Sequence, residues 1–361
     1  MNEKYRAPHN SKWRKNPLSF QVDFSEFDFV SDSDVKKLSL AQSMTKSKSF
    51  WSAGFKKLMQ NPTAVISMVF LVLIILTVII LPIFWPYKYS DQLSVTYGDS
   101  SFTNLDPFEY STTEKALLDQ GEFVMPHLMG TDKLGRDYFI RVIYGARISI
   151  FVGIFAAFIV LIIGSVYGAI SGYIGGTTDL IMMRIVDIIY SLPDVLIIIL
   201  LSVVLREALD GATGFIATLG AGLLSIFIVF ALLYWVGMAR LVRGQILSLR
   251  SQEFVLASKS LGAGNFRIIF HHLLPNCIGL IIISTALEIP SAIFTESFLS
   301  FIGLGVSAPM PSLGSLCSDA LSSIYSHPLL LVFPAILICV IVLAFNLLGD
   351  GMRDAFDPRM Q

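Results

Sequence analysis

Long apolar runs separated by polar segments are the main pattern along the chain. Each run has close to the ~20 apolar residues that a helix needs to cross the hydrocarbon core of a bilayer. The pattern therefore predicts an all-α integral membrane protein with six transmembrane helices, at residues 64–84, 148–171, 182–205, 215–237, 277–302 and 329–348.

The third run differs from the others because it contains charged residues and a proline. Arg184 and Asp187 lie in its first half, and Pro193 and Asp194 interrupt it. A bilayer tolerates this only where the polar side meets protein or water. We therefore expect that side of the third helix to face the protein or a water-filled space.

The distribution of Lys and Arg predicts how the helices are oriented. Residues 1–61 contain 11 Lys and Arg against 6 Asp and Glu, whereas residues 87–139 contain 4 against 9. Cytoplasmic segments carry the excess of Lys and Arg, so the N-terminus should lie inside. The basic loop 239–275 then also lies inside, and the loop 303–328, which has no Lys or Arg, lies outside.

This topology divides the chain into five parts. Both termini are expected in the cytoplasm and the protein in the cell membrane. Cys317 should lie outside, where an impermeant thiol reagent would reach it unless a partner covers the loop, and Cys277 should lie near the inner face. The parts are a cytoplasmic tail with an interfacial helix (1–61), the first transmembrane helix (62–86), an extracytoplasmic segment (87–142), a five-helix core containing the cytoplasmic loop 239–275 (143–349), and a C-terminal cytoplasmic tail (350–361).

The N-terminal part combines a polar tail with an amphipathic segment. Residues 1–49 predict a disordered tail, with a docking peptide for a cytoplasmic partner as the alternative. After them, Trp51, Phe55 and Leu58 share one helical face between lysines. That pattern is typical of a helix lying in the membrane interface before Pro62 turns the chain inward, and a solvated basic linker is the alternative.

Two further segments are expected to pack closely, the one between the first two helices and a glycine-rich part of the second helix. The outside segment is ~50 residues, too long for a simple connection, so we expect a small cap, with a flexible acidic loop as the alternative. Gly164, Gly168 and Gly172 form a repeated GxxxG motif in the second helix. Such glycines let another helix approach closely, either within this chain or across the central contact with a second subunit.

Composition excludes several classes of protein. The chain is 54% hydrophobic and 15% charged, with a mean hydropathy of +0.69, which lies outside the range of soluble domains. The net charge of −1 argues against binding nucleic acid through global charge. The three cysteines lack metal-ligand spacing, and no phosphate-binding loop or HExxH motif occurs. We expect no catalytic site, cofactor or metal in this chain.

Two carboxylates fall inside the fifth apolar run. Glu288 and Glu296 are separated by ~80° around an ideal helix, so they share one side. Carboxylates at membrane depth are costly and usually face a cavity or a partner. They are candidates for lining a transport path, with an ion pair or hydrogen bond inside the protein as the alternative.

A polar segment separates the fourth and fifth runs. It predicts a helix at 253–261, a turn at Gly262, and a second helix at 265–273 ended by Pro275. Such a hairpin would present apolar side chains to a groove on a soluble protein, and they are Phe254, Val255, Leu261, Phe266 and Ile269.

This segment resembles the EAA loop of ABC importer permeases, whose pattern is Glu-Ala-Ala, three residues, Gly, nine residues, Ile, one residue, Leu-Pro. Ala257, Gly262, Leu274 and Pro275 are in register, whereas Leu256, Ser258 and His272 depart from the motif residues. Further stretches resemble the OppC/DppC-type permease subunits of oligopeptide and dipeptide importers. They are "MGTDKLGRDYFIRVIYGARISIFVG", "RIVDIIYSLPD", "TESFLSFIGLG" and the closing "FDPRM".

The resemblance implies a type I ABC importer permease half. It implies a second homologous permease subunit, two cytoplasmic ATPase subunits that hydrolyse ATP, and an extracytoplasmic peptide-binding protein. It also implies that ATPase contacts come from the hairpin, through Glu253, Phe254, Leu256, Ala257, Ser258, Leu261, Gly262, Ala263, Phe266, Arg267 and Pro275. A permease for nickel or another small solute, a proton-coupled carrier and a membrane scaffold remain alternatives.

Overall fold

The structure is a computed structural model that describes residues 50–209, 211, 220–306 and 310–356. Across these ranges the chain is helical, with one isolated antiparallel bridge between Thr131 and Asp137 and no strand. The helices are α1 (Phe50–Gln60), α2 (Pro62–Phe84), α3 (Leu93–Thr96), α4 (Thr112–Asp119), α5 (Tyr138–Ile174), α6 (Gly176–Ser191), α7 (Asp194–Leu209), α8 (Ala221–Leu249), α9 (Glu253–Ser260), α10 (Asn265–Phe301), α11 (Leu313–Ala320) and α12 (Leu329–Phe356).

Helix α5 is the centre of the bundle. It packs along α8 on one side and along α10 on another, while α12 packs on α10 and α2 packs on α12. Its 37 residues give a length of ~55 Å, well beyond the ~30 Å hydrocarbon core. Helix α5 therefore extends outside the hydrocarbon core and links the membrane bundle to the segment that precedes it.

Five of the described helices are long and apolar enough to cross a membrane, namely α2, α5, α8, α10 and α12. They correspond to the predicted spans 1, 2, 4, 5 and 6, so those five predictions are confirmed as helices. The predicted start of the fourth span at residue 215 lies outside the described residues. The second, fifth and sixth helices extend beyond their apolar runs, and α12 continues through Arg353 into part of the predicted C-terminal tail.

The third predicted span is two helices rather than one. Helices α6 and α7 meet at a 91° bend. Pro193 has no N–H to bond the carbonyl of Ile189, and the residue before it, Leu192, is extended with φ −82° and ψ 142°. The pair therefore forms a broken span or a re-entrant segment, and the break lies where the sequence predicted an interruption at Pro193 and Asp194.

The fourth helix does not end near Gly237 but continues to Leu249. Its added turns carry Arg240 and Arg243, which the sequence placed in a loop. Both pair with carboxylates of α6, since Arg240 lies 2.7 Å from Asp187 and Arg243 lies 2.5 Å from Asp179. Of the charges in the third predicted span, Asp187 therefore faces protein, whereas Arg184 is exposed. The two ion pairs fasten α6 to α8.

Helix α1 lies against the end of α12. The ring of Trp51 meets that of Phe356 edge to face at 5.9 Å, and Leu58 is buried beside Ala355. Asn61 then caps α2, its side chain accepting the N–H of Thr63 at 3.1 Å. Phe55 and Met59 remain exposed, which leaves an apolar face available to the membrane interface.

The outside segment is packed rather than extended. Phe102 is fully buried within it, and Leu93 and Leu105 are also buried. Ser111 and Glu114 form a capping box at the start of α4, in which each side chain accepts the other residue's backbone N–H. The segment therefore has its own core, which agrees with the expectation of a compact cap.

Candidate functional site

The predicted hairpin is present, and its turn depends on Gly262. The N–H of Gly262 donates to the carbonyl of Lys259 at 3.0 Å, and the N–H of Ala263 donates to that of Ser258 at 3.1 Å. This is a Schellman motif, which needs a left-handed residue after the helix. Gly262 supplies it with φ +83°, but a Cβ there would meet open space. The backbone angle, and not close packing between the helices, is the reason for glycine.

The hairpin presents a partly apolar outer surface. Leu261 is 89% exposed and Phe266 is 72% exposed, and Phe254 and Leu256 are also exposed. Val255 and Ile269 are buried against α5 and α8, so the expectation that these two face a partner was wrong. Among the predicted ATPase-contact residues, Ser258 and Ala263 are partly buried, and the exposed ones are Glu253, Phe254, Leu256, Ala257, Leu261, Gly262, Phe266, Arg267 and Pro275.

The second helix of the hairpin does not end at Pro275. It runs on as α10 through Phe301. A π-helical turn at Ile268–Leu273 precedes the proline, and Leu274 donates its N–H to the carbonyl of Ile269, five residues back. This widened turn places Pro275 at the start of the next α-helical stretch, where its missing N–H costs little. The second helix of the hairpin and the fifth span are therefore one continuous helix.

The glycine repeat packs within this chain. A Cβ on Gly172 would lie 2.9 Å from the carbonyl oxygen of Arg243, and one on Gly168 would overlap the carbonyl of Ala239. Gly164 faces Met238 in the same way. The three glycines therefore form the seam between α5 and α8, and the alternative of a contact with a second subunit is not needed to explain them.

Glu296 is a structural group. Its side chain is completely buried and accepts hydrogen bonds from the hydroxyls of Ser149 at 2.6 Å and Ser300 at 2.7 Å. It joins α10 to α5 through the bond to Ser149. For Glu296 the structure therefore has the alternative arrangement, a hydrogen bond inside the protein, whereas Glu288 lies in different surroundings.

Glu288 does line a cavity of about 550 Å³. The cavity lies between the α6–α7 break, α8 and α10, and it is bordered by Tyr190, Pro193, Gly237 and Ser291. The break in the third span forms one wall of this cavity. Discontinuous helices commonly form the substrate and ion sites of membrane transporters.

A buried cluster that no motif in the sequence predicted lies in the segment between α2 and α5. His127 Nδ1 lies 2.7 Å from Asp137 Oδ2, and its Nε2 lies 3.1 Å from Glu114 Oε1, with all three side chains almost inaccessible. Burial alone would lower the pKa of His127, but the hydrogen bonds to the two carboxylates outweigh it and raise the pKa to about 9. The imidazolium therefore ties α4 to the start of α5.

A second ionic cluster lies next to the first. The buried Arg141 on α5 contacts Asp132 and lies 3.7 Å from Asp319 near the end of α11. Arg136 also pairs with Asp132 at 2.7 Å. The only sequence signal for either cluster was the unusual density of charges in residues 127–141 beside an apolar run. Within the described residues, no group of His, Cys, Asp or Glu has the arrangement of a metal site.

The three cysteines form no disulfide. The expectation that a thiol reagent would reach Cys317 was wrong. Cys317 is on α11, outside the spanning helices, but its side chain is buried. Burial raises the pKa of this thiol to about 11. A thiol reagent would therefore meet neither an accessible sulfur nor a thiolate.

Comparison with known proteins shows similarity over most of the chain. The family model for the binding-protein-dependent transport system inner membrane component matches residues 164–361, and that for the N-terminal TM domain of oligopeptide transport permease C matches residues 49–107. The oligopeptide transport system permease protein OppC of Bacillus subtilis is 42% identical over 328 residues, or 91% of this chain and 94% of that protein. The matched regions include the hairpin, the broken span and the cavity.

Two further relatives have similar coverage or higher identity. The dipeptide transport system permease protein DppC of Bacillus subtilis is 50% identical over 236 residues, or 65% of this chain and 69% of that protein. OppC of Escherichia coli is 37% identical over 313 residues, or 86% of this chain and 92% of that protein.

Proposed function

Because the chain belongs to the binding-protein-dependent transport inner membrane component family, we propose that it is the permease subunit of an ATP-driven peptide importer. The names of its relatives support peptides as the substrate class, since they are oligopeptide and dipeptide transport permeases. In this role the chain forms half of a translocation path and has no catalytic site of its own.

The observation that carries this proposal is the continuity between the hairpin and the cavity. Helix α10 begins at the hairpin turn, passes through the π-helical segment and reaches Glu288 without a break. A helix transmits displacement along its axis because its backbone hydrogen bonds resist extension. A partner that moves the hairpin therefore also moves one wall of the cavity.

The partners follow from the exposed surfaces and from the family. Two cytoplasmic ATPase subunits supply the energy, and one of them binds the apolar surface formed by Leu261, Phe266 and Phe254. A second homologous permease subunit completes the path, and an extracytoplasmic binding protein delivers the peptide to the packed outside segment. Both termini lie in the cytoplasm, as the excess of Lys and Arg in the N-terminal part supports.

Substitutions on the hairpin test the ATPase contact. Leu261→Asp and Phe266→Asp should each weaken ATPase binding about tenfold or more, because each places a charge in an apolar contact. Leu321→Asp, at an exposed leucine on the predicted outer side, is the matched control and should leave binding unchanged. Co-purification and the ATP hydrolysis stimulated by loaded binding protein measure the effect. Full binding by both hairpin variants would overturn the proposed contact.

A second pair of variants tests whether the shape of the turn matters for coupling. Gly262→Val forces a β-branched residue to φ +83°, a conformation that valine adopts only with strain. Gly264→Val is the control, since Gly264 has an ordinary φ of −68° and open space around it. We expect uptake of peptide to fall with the first variant only. Equal uptake by both would show that the turn does not transmit closure of the ATPase.

The energy source itself distinguishes this proposal from a proton-coupled carrier. The complexes are reconstituted in vesicles with the ATPase subunits facing the lumen. These vesicles should take up peptide when they enclose ATP, and an uncoupler that dissipates the proton gradient should not stop the uptake. Uptake that follows a proton gradient without ATP would reject an ATP-driven importer.

A further inference from the structure

The cavity beside the broken span has one charged wall. Among its described lining residues Glu288 is the single ionisable acid and none is Lys or Arg. Within the described residues Glu288 has no hydrogen-bond or ion-pair partner, in contrast to Glu296, whose oxygens are taken up by serine hydroxyls. A carboxylate without a partner at membrane depth is costly, and a ligand that supplies a positive charge in the cavity would offset that cost.

Two helix ends meet beside the same space. Helix α6 ends at Ser191 and α7 begins at Asp194, and Leu192, Pro193 and Ile197 line the cavity. The C-terminal end of a helix carries a partial negative charge and the N-terminal end a partial positive one, so the two ends oppose each other. The charge of the described walls therefore comes from Glu288.

A basic group next to the cavity is already paired with a carboxylate. The guanidinium of Arg240 stacks on the ring of the lining residue Tyr190 at 4.0 Å and pairs with Asp187 at 2.7 Å. It therefore does not serve as the counter-ion of Glu288. Apolar side chains such as Ile197, Ile198 and Leu233 form the remaining walls, which suits a ligand with one ammonium group and an apolar body.

We propose that this cavity binds the protonated α-amino group of a peptide in transit, with Glu288 as its counter-ion. The inference rests on the proposed function, because it assumes that the cavity is part of the path. An α-amino group has a pKa of ~8 and is protonated at neutral pH, and every peptide with a free N-terminus carries one whatever its sequence. Recognition of this group holds a peptide in one direction without selecting its side chains. The volume of about 550 Å³ lies within the range of small-ligand sites.

A thiol placed in the cavity tests the charge and the ligand together. Ser291→Cys puts a reactive group beside Glu288 on the same helix, in a background with Cys339→Ala, while the two remaining native cysteines are buried. In the reconstituted complex, a cationic methanethiosulfonate should modify this thiol about tenfold faster than an anionic one. Trialanine should protect the thiol, and N-acetyl-trialanine should not.

Changing Glu288 gives the decisive comparison. With Glu288→Gln added, the preference for the cationic reagent and the protection by trialanine should both disappear. Glu207→Gln removes an exposed carboxylate from α7, away from the cavity, and should leave both effects intact. N-acetyl-lysyl-alanine distinguishes a side-chain ammonium from an α-ammonium, since protection by it would show that any ammonium group is accepted and would overturn the assignment to the N-terminus.

Three results would reject the site. They are equal rates for the two reagents, equal protection by the free and acetylated peptides, and unchanged behaviour in Glu288→Gln. ATP-dependent uptake of trialanine by the same complexes is measured in parallel. Normal uptake together with any of these results removes the ammonium site and leaves the peptide importer standing, whereas absence of ATP-dependent uptake in the parent complex counts against the importer itself.

Discussion

Raising the pH should loosen the outside segment through a single residue, His127. This imidazolium is buried between Glu114 and Asp137 and links α4 to the first turn of α5. When it loses its proton, one of its two hydrogen bonds to a carboxylate is lost, and two buried carboxylates remain without a cation. The expected effect is local opening of the segment, with the membrane helices unaffected.

The pKa of His127 sets the size and the pH window of this effect. The group titrates at about 9 in the folded protein and at 6.5 when exposed, and each unit of difference corresponds to ~1.4 kcal/mol. The charged bridge therefore contributes about 3 kcal/mol. Because the folded pKa is the higher one, this stability is fully present below pH 6.5 and is lost as the pH rises through 9. Burial acts to raise the pKa of Glu114, but its bonds to His127 and Ser111 hold it below the usual value, so Glu114 loses its contribution only in acid.

Amide hydrogen exchange measures this opening directly. Protection of residues 112–119 and 126–137, corrected for the intrinsic rate at each pH, should fall about a hundredfold between pH 6.5 and 9.5. His127→Gln should abolish this pH dependence, and His327→Gln is the control because His327 is only partly buried and lies 3.4 Å from the exposed Asp106. Constant protection in the parent, or the same pH slope in His127→Gln, would refute the reasoning.

Three other outcomes can be checked on the purified protein. Gly168→Leu should destabilise it by about 3 kcal/mol in a thermal-shift assay, because its side chain would enter a backbone carbonyl of α8, whereas Gly244→Leu meets open space and should be neutral. Glu296→Leu should cost about 1–3 kcal/mol by removing the acceptor of two buried hydroxyls, and an unchanged melting temperature would contradict that role. Cys317 should resist an impermeant thiol reagent at neutral pH until denaturation, while Leu321→Cys on the same predicted side should react at once.

The spanning helices were predictable because a helix surrounded by lipid needs a long run of apolar side chains. Their ends were not, since a helix can continue into charged sequence when the charges find partners. Arg243 was assigned to a loop although it lies on α8 and is held by Asp179. Pro275 was expected to end a helix, but the π-helical turn before it absorbs the missing hydrogen bond. Both errors come from reading local sequence where a tertiary contact or a change of helical pitch decides the outcome.

The site residues also divide into those whose role the sequence predicts and those whose role it does not. The Gly262 turn followed from local chemistry, because a positive φ after a short helix favours glycine in any context. The different surroundings of Glu288 and Glu296 did not, since both lie on one helix and one contact that distinguishes them comes from another helix. Glu296 accepts hydrogen bonds from Ser149 on α5 and from Ser300 on α10 itself. The buried His127 cluster likewise joins residues that are separated along the chain, so the density of charges near residue 137 indicates a cluster but not which residues pair.

Close packing and irregular backbone lie on different sides of the cavity. The glycines of α5 let α8 approach so closely that a Cβ on Gly168 would overlap the carbonyl of Ala239. On the other sides lie Pro290 of α10, close to Glu288 in the chain, and the break at Pro193. In the proposed coupling, a displacement of the hairpin travels along α10, and at these two prolines the backbone has one hydrogen bond fewer to resist bending. The wall that carries Glu288 is therefore the part of the cavity that such a displacement would move relative to the seam of α5 and α8.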